Sequence, residues 1–260
     1  MAYPLSVSPV FRLEEDGTAS STNRAYLYRM NTSPGLLAGD ALEISLQLDK
    51  GSQLYLIDQA ATKVHTMTEA TAQARVSYQI DVGTDASLEF LPEPLILFAG
   101  STLTQKTDIT LHSTAGLSWG EIVLPGRLAR GEVYQFRQYL SRLRVQSPDG
   151  QMWFAESMKL LGKENRFSQQ ALFASGAVLG TLVLVLPGAI ATPQNLSALS
   201  IEIEALAKGS VDLASSVLPG DRGLFIRAMA NTTREMQACF RQAVNCVRIL
   251  QGQALLPYSL

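Results

Sequence analysis

The chain has 260 residues, 47% of them hydrophobic and 17% charged, the proportions of an ordinary globular protein; that length allows one large domain or two modest ones. A net charge of -2 sets up no broad positive field, so nucleic acid is disfavoured as a partner. The opening Met1-Ala2-Tyr3-Pro4 lacks the basic segment and apolar run of a secretory leader, and this leads to the expectation of a cytoplasmic protein.

Along the chain, strand-period alternation is clearest at Glu43-Ile44-Ser45-Leu46-Gln47-Leu48-Asp49, where every second residue is apolar. The unit recurs at Val76-Ser77-Tyr78-Gln79-Ile80 and at Ile109-Thr110-Leu111-His112. Each copy is followed by a glycine (Gly51, Gly83, Gly116) and a second apolar segment, Leu54 to Ile57, Leu88 to Leu91 and Leu117 to Leu124. A strand, turn and strand repeated three times predicts coils or hairpins stacked on one another, each hiding its apolar face against the next. The expected fold is mainly β, with layered, partly β-helical stacked strands.

Alignment of the three copies on Ile44, Val76 and Ile109 places Leu56, Leu88 and Glu121 in one slot and Asp58, Phe90 and Val123 in another. Strand parity turns both acids inward, since Asp58 shares a face with Leu54 and Leu56, and Glu121 with Leu117, Trp119 and Val123. A buried carboxylate costs several kcal/mol unless it is paired or hydrated. The ordinary compensation is a salt bridge, with Lys63 or Arg127 as candidate cations. The sharper reading is a water-filled internal passage bordered by Asp58 and Glu121.

Ala177 to Leu186 is the most apolar stretch, half of the roughly 20 residues that cross a bilayer, and Pro187-Gly188 ends it. It predicts a buried strand, so no membrane is expected as a partner. Thr192 and Pro193 open a helix that Gly209 can close, with Leu196, Leu199, Ile203 and Leu206 on one face. Further strands are expected at Val211 to Val217 and Gly223 to Ala230. Thr232-Thr233-Arg234-Glu235 has the form of a capping box that opens a second helix, with Met236, Phe240, Ala243, Val244, Val247 and Leu250 as its stripe. Two helices thus fall in the C-terminal third. No Pro/Ser-rich linker divides the chain, so a single domain over 1–260 is expected.

Few residues suit metal or nucleophilic chemistry. The chain has two histidines, His65 and His112, and two cysteines, Cys239 and Cys246, with no HExxH or CxxC motif. Seven residues apart on a helix, the cysteines lie about 10 Å apart at ~1.5 Å per residue, beyond disulfide reach. They read as small core residues. No GxSxG turn, GxxxxGK[ST] loop or GxGxxG loop is present.

Four blocks nevertheless resemble the urease accessory protein family UreD/UreH. They are Asn31-Thr32-Ser33-Pro34-Gly35-Leu36-Leu37-Ala38-Gly39-Asp40; Gln59-Ala60-Ala61-Thr62-Lys63-Val64; Leu88-Glu89-Phe90-Leu91-Pro92-Glu93-Pro94-Leu95-Ile96-Leu97-Phe98; and Trp119-Gly120-Glu121-Ile122 with Gly126-Arg127-Leu128-Ala129-Arg130-Gly131-Glu132. The resemblance implies a largely β, non-enzymatic scaffold that associates with UreF, the GTPase UreG and apo-urease subunits and supports nickel insertion. It implies no tightly bound cofactor and nickel held only transiently, for which Asp58 and Glu121 are the candidate oxygen ligands. Arg127 and Glu132 are expected to serve architecture near a partner surface. Two other classes remain open: a β-helical carbohydrate-active enzyme using Glu89, Glu93 and Glu121 in an open groove, and a binding module with no link to metal.

Overall fold

The computed structural model describes residues 4–12, 24–162 and 177–257. The strands are β1 (Leu5–Val7), β2 (Ala25–Asn31), β3 (Ala41–Leu48), β4 (Gln53–Asp58), β5 (Thr62–Val64), β6 (Ala74–Val82), β7 (Ser87–Leu91), β8 (Leu95–Leu97), β9 (Thr102–Leu111), β10 (Gly116–Leu124), β11 (Gln138–Gln146), β12 (Met152–Leu161) and β13 (Val178–Val185). Helix α1 (Pro193–Glu204), β14 (Val211–Val217), β15 (Gly223–Ala230) and α2 (Thr233–Leu250) complete the order.

The repeated unit folds as three solenoid-like coils. Strands β3, β6 and β9 stack in parallel in one sheet, which β11 and β12 extend. Their successors β4, β7 and β10 stack in parallel in a second sheet. That sheet runs β1-β2-β4-β7-β10-β13-β15-β14, with antiparallel pairs at both ends. Alternate residues such as Leu56, Leu88, Phe90 and Trp119 enter a core between the sheets, joined by Tyr78, Ile80, Leu103 and Tyr139 from the facing sheet. The opposite face of the longer sheet carries Tyr55, Ile122, Leu182, Leu184 and Ile226, covered by α1 and α2. The result is three layers: sheet, sheet, helices.

The observed register departs from the alignment of the repeats. Ile44 lies opposite Tyr78 and Val76 opposite Gln105, so successive coils are offset by 34 residues (Gln53 opposite Ser87) and then 29 (Ser87 opposite Gly116). Leu56, Phe90 and Trp119 therefore share one slot, and the expected grouping of Leu56 with Leu88 and Glu121, like that of Asp58 with Phe90 and Val123, is corrected. The glycines do not align either. Gly51 turns with φ of 72°, and the residue 34 positions later, Asp85, takes the same left-handed conformation at 56°, which Asp tolerates better than most residues. A slip of two or four residues leaves strand parity intact. The inward and outward faces therefore stay as strand parity sets them, while the slots shift.

Helix α1 starts at Thr192, whose hydroxyl accepts from the Asn195 amide, and carries Pro193 in its first turn. It ends at Glu204, short of Gly209, because tighter bonds from Leu206 to Ile203 and from Ala207 to Glu204 unwind it, leaving Leu206 outside. In α2, the capping box of Thr232 and Glu235 forms as expected. Met236 and Phe240 of α2 seat against β13 at Gly180, where any larger residue would meet both side chains. Cys239 is buried and Cys246 half-buried, both free; burial raises the Cys239 thiol to about 11.

Candidate functional site

The longer sheet has a gap that the sequence explains. After Asp58, the segment Gln59-Ala60-Ala61 leaves the ladder before β5 resumes it, and Pro92-Glu93-Pro94 does the same between β7 and β8. Proline has no N–H to donate to a ladder, so two prolines so close together interrupt it. Strand β10 runs past the gap unbroken, pairing with β7 up to Trp119 and with β8 from Val123. Behind the gap, between the sheets, lies a cavity of about 60 Å³ bordered by Asp58, Glu121, Arg29, Tyr78 and Gln105. A water molecule needs about 10–15 Å³ on this measure, so the cavity has room for a few.

Asp58 and Glu121 both face this cavity, as strand parity requires, but by different means. Asp58, 7% exposed, is paired with Arg29 through Oδ1 to Nε at 2.6 Å. Neither Lys63 nor Arg127 is its cation. Arg29 also donates from Nη1 to the Tyr78 hydroxyl at 2.7 Å and lies over the rings of Tyr78 and Phe90. Burial pushes the Asp58 carboxyl up, with Arg29 pulling it back. Burial also opposes the charge of Arg29, yet Tyr78 and Asp58 together hold it firmly cationic.

Glu121 is half-buried and has no salt-bridge cation among the described residues. Its Oε2 accepts from Gln105 Nε2 at 2.6 Å and from Ser141 Oγ at 3.0 Å. Burial raises its carboxyl to about 7, against the smaller opposing effects of the Tyr139 and Ser141 hydroxyls. The two acids thus differ: one is locked to a guanidinium, and the other is held by neutral donors and shares its proton with the medium near neutrality. Two carboxylates facing one small cavity, without His or Cys beside them among the described residues, do not make the tight closed metal site that several His or Cys residues build.

Arg127 and Glu132 pair across a tight loop. Arg127 Nε donates to Glu132 Oε2 at 2.8 Å, its guanidinium covers the Phe98 ring at 4.4 Å, and Glu132 Oε1 accepts from the Ala99 amide. Gly126 has φ of 145°, and a Cβ there would collide with the carbonyl of Glu132. A short 3-10 turn at Leu128–Arg130 closes on left-handed Gly131. The block from Gly126 to Glu132 is therefore a clasp that ties the end of β10 to the segment after β8.

Glu89 lies on the other face of the longer sheet from Glu121 and belongs to a different cluster. It is 6% exposed and holds two buried arginines: Arg248 at 2.9 and 2.6 Å, and Arg24 at 3.1 Å. Arg248 also donates to the Ala254 carbonyl, and Arg24 to the Gln253 side chain, fastening the segment after α2. Glu93 borders the cavity and accepts from Gln237 at 3.0 Å. Glu93 and Glu121 thus share the small cavity between the sheets while Glu89 stands apart on the other face, and the three do not line one open groove. Sequence reasoning missed Arg29, Arg24 and Arg248. Arg29 sits directly across from Asp58 in a strand outside the repeat, and only the pairing of β2 with β4 reveals it.

His65 Nε2 lies 3.1 Å from the Pro34 carbonyl, and His112 Nδ1 lies 3.0 Å from the Thr114 hydroxyl. Among the described residues no group of three His, Cys, Asp or Glu could hold a metal ion, and no helix is long and apolar enough to cross a membrane.

Residues 1–258 match the model of a family described as UreD urease accessory protein. The chain is 46% identical over 259 residues to the urease accessory protein UreD of Trichodesmium erythraeum, covering 98% of this chain and 90% of that protein. It is 30% identical over 216 residues to UreD of Haloarcula marismortui, covering 83% and 70% respectively. Over 234 residues it is also 30% identical to UreD 2 of Streptomyces griseus, covering 88% and 77%.

Proposed function

Since this chain belongs to the UreD family of urease accessory proteins, we propose that it is a non-enzymatic scaffold that joins UreF, the GTPase UreG and apo-urease in the cytoplasm and passes nickel toward the urease active site. Nickel is its cargo, held transiently and mainly by oxygen.

The observation that carries this reading is the pair of inward carboxylates on one cavity between the sheets, Asp58 and Glu121. A protein that hands a metal on should hold it weakly. Carboxylate, amide and hydroxyl oxygens do so for a cation that binds imidazole or thiolate more tightly. Of the two inward carboxylates, Glu121 is the one held only by neutral donors, whereas Asp58 is paired with Arg29. The clasp of Arg127 and Glu132 keeps the neighbouring loop in one shape at the surface where partners dock.

The reading is tested by expressing the chain with UreF, UreG and the urease subunits. Copurification should recover one complex containing all of them. The variants Asp58→Ala and Glu121→Ala, once shown to fold and to enter that complex, should leave urease short of nickel. If both assemble and yield fully loaded urease, these carboxylates are not on the nickel's route.

A further inference from the structure

A second feature lies outside the sheet sandwich, on the surface beside the Arg127–Glu132 clasp. There an open groove of about 640 Å³ is floored by Ile96, Phe98, Leu124 and Leu128, all apolar and all half-buried. Its rim carries Lys63 and Arg130, both exposed. Among the described residues, no acidic one lines the groove. Arg127 is turned onto Glu132 and the Phe98 ring, so its charge is spent. Among the described residues, Lys63 and Arg130 have no ion pair.

From this pattern we infer that the groove is the docking site for an acidic, leucine-type apolar segment of a partner protein, with Lys63 and Arg130 pairing its carboxylates. The apolar floor decides against a small anion, which would leave Ile96, Leu124 and Leu128 unused. The two unbalanced cations decide against a neutral or basic segment, which would leave them uncompensated under a covered surface. The clasp gives the site its rigidity. Leu128 and Arg130 sit on the 3-10 turn that Gly126, Gly131 and the Arg127–Glu132 pair hold in place, so the segment meets a preformed shape and spends little on ordering it.

The inference rests on the scaffold reading above, because it needs partner proteins to bind. The test uses the full chain co-expressed with UreF, UreG and the urease subunits. A carbodiimide joins an amine to a carboxylate as an amide with loss of water, so it should link Lys63 to an Asp or Glu of a partner, located by peptide mass spectrometry. The double variant Lys63→Glu/Arg130→Glu should reduce recovery of the complex at least tenfold. Lys63→Arg should retain the complex while losing the crosslink. Both changes are on exposed side chains, and thermal melting confirms the fold. If the wild-type chain assembles and the double variant assembles equally well, the groove assignment is overturned while the scaffold reading stands. A Lys63 crosslink to a second copy of this chain overturns it in favour of self-association. If the wild-type chain forms no complex with any of these proteins, the scaffold reading fails and this inference falls with it.

Discussion

Arg29 and Asp58 occupy directly opposed positions on adjacent parallel strands, and their side chains meet at 2.6 Å inside the sandwich. Neither is on the surface, and among the described residues each is the other's only salt-bridge partner, in a place where an unpaired ion is costly. Replacing Arg29 by Met should destabilise the protein by about 3–5 kcal/mol, because it leaves a buried carboxylate uncompensated. The double variant Arg29→Met/Asp58→Leu should recover most of that loss. Urea unfolding midpoints at constant slope measure both. Additive effects of the two single changes would show that the pair is not coupled.

Glu121 makes stability depend on pH in a way that can be isolated. Burial raises its folded carboxyl from 4.5 to about 7. Below about pH 4.5 folded and unfolded chains both carry the proton, so the group costs nothing. As pH rises to 7 the unfolded chain gives up its proton first, and folding is progressively penalised, by up to about 3 kcal/mol above pH 7. Glu121→Gln keeps the shape and removes the charge. The variant should match the wild type near pH 4.5 and exceed it at pH 8; a constant difference across that range would be incompatible with the raised carboxyl.

Glu89 answers two buried guanidinium groups at once. Glu89→Gln should therefore cost about 3–5 kcal/mol. It should also loosen the segment after α2, which Arg248 holds at Ala254 and Arg24 at Gln253. Hydrogen exchange would read this at the Leu256 amide, now bonded to Asn245 at 2.8 Å. Unchanged protection there would mean that the segment is held without the cluster.

The two glycines of the clasp should respond differently to alanine. At Gly126 a Cβ meets the Glu132 backbone, which cannot yield cheaply, whereas at Gly131 nothing lies within 4 Å. Gly126→Ala should cost more than about 2 kcal/mol, and Gly131→Ala only the left-handed backbone penalty of about 1–2 kcal/mol. Thermal melting of both variants decides the order.

The parts of this architecture legible in the sequence were those with a local signal. Alternation marked the strands, and Thr192 and Thr232 marked both helix starts. Parity alone turned Asp58 and Glu121 toward the cavity. Register was not legible, because apolar residues at every second position fit a parallel neighbour equally well after a two-residue slip, as the exchange of Val76 for Tyr78 opposite Ile44 shows. The partners of the buried charges were hidden for a different reason. Arg29, Arg24 and Arg248 reach their acids across 29, 65 and 159 residues of chain, and no short-range pattern reports such a meeting. The gap in the longer sheet lay in plain view as Pro92-Glu93-Pro94, but its meaning depended on which strand ran beside it.

The order of the strands in that sheet has a consequence for synthesis on the ribosome. All three coils are complete by Leu124, yet among the described residues the strand that covers the outer edge of β10 is β13, which begins at Val178. For more than fifty residues of elongation a hydrophobic strand holds an open row of amides and carbonyls, the template on which nascent chains pair with one another. A chain stopped at residue 162 should accordingly aggregate where the complete one does not, as sedimentation of the two translation products would show.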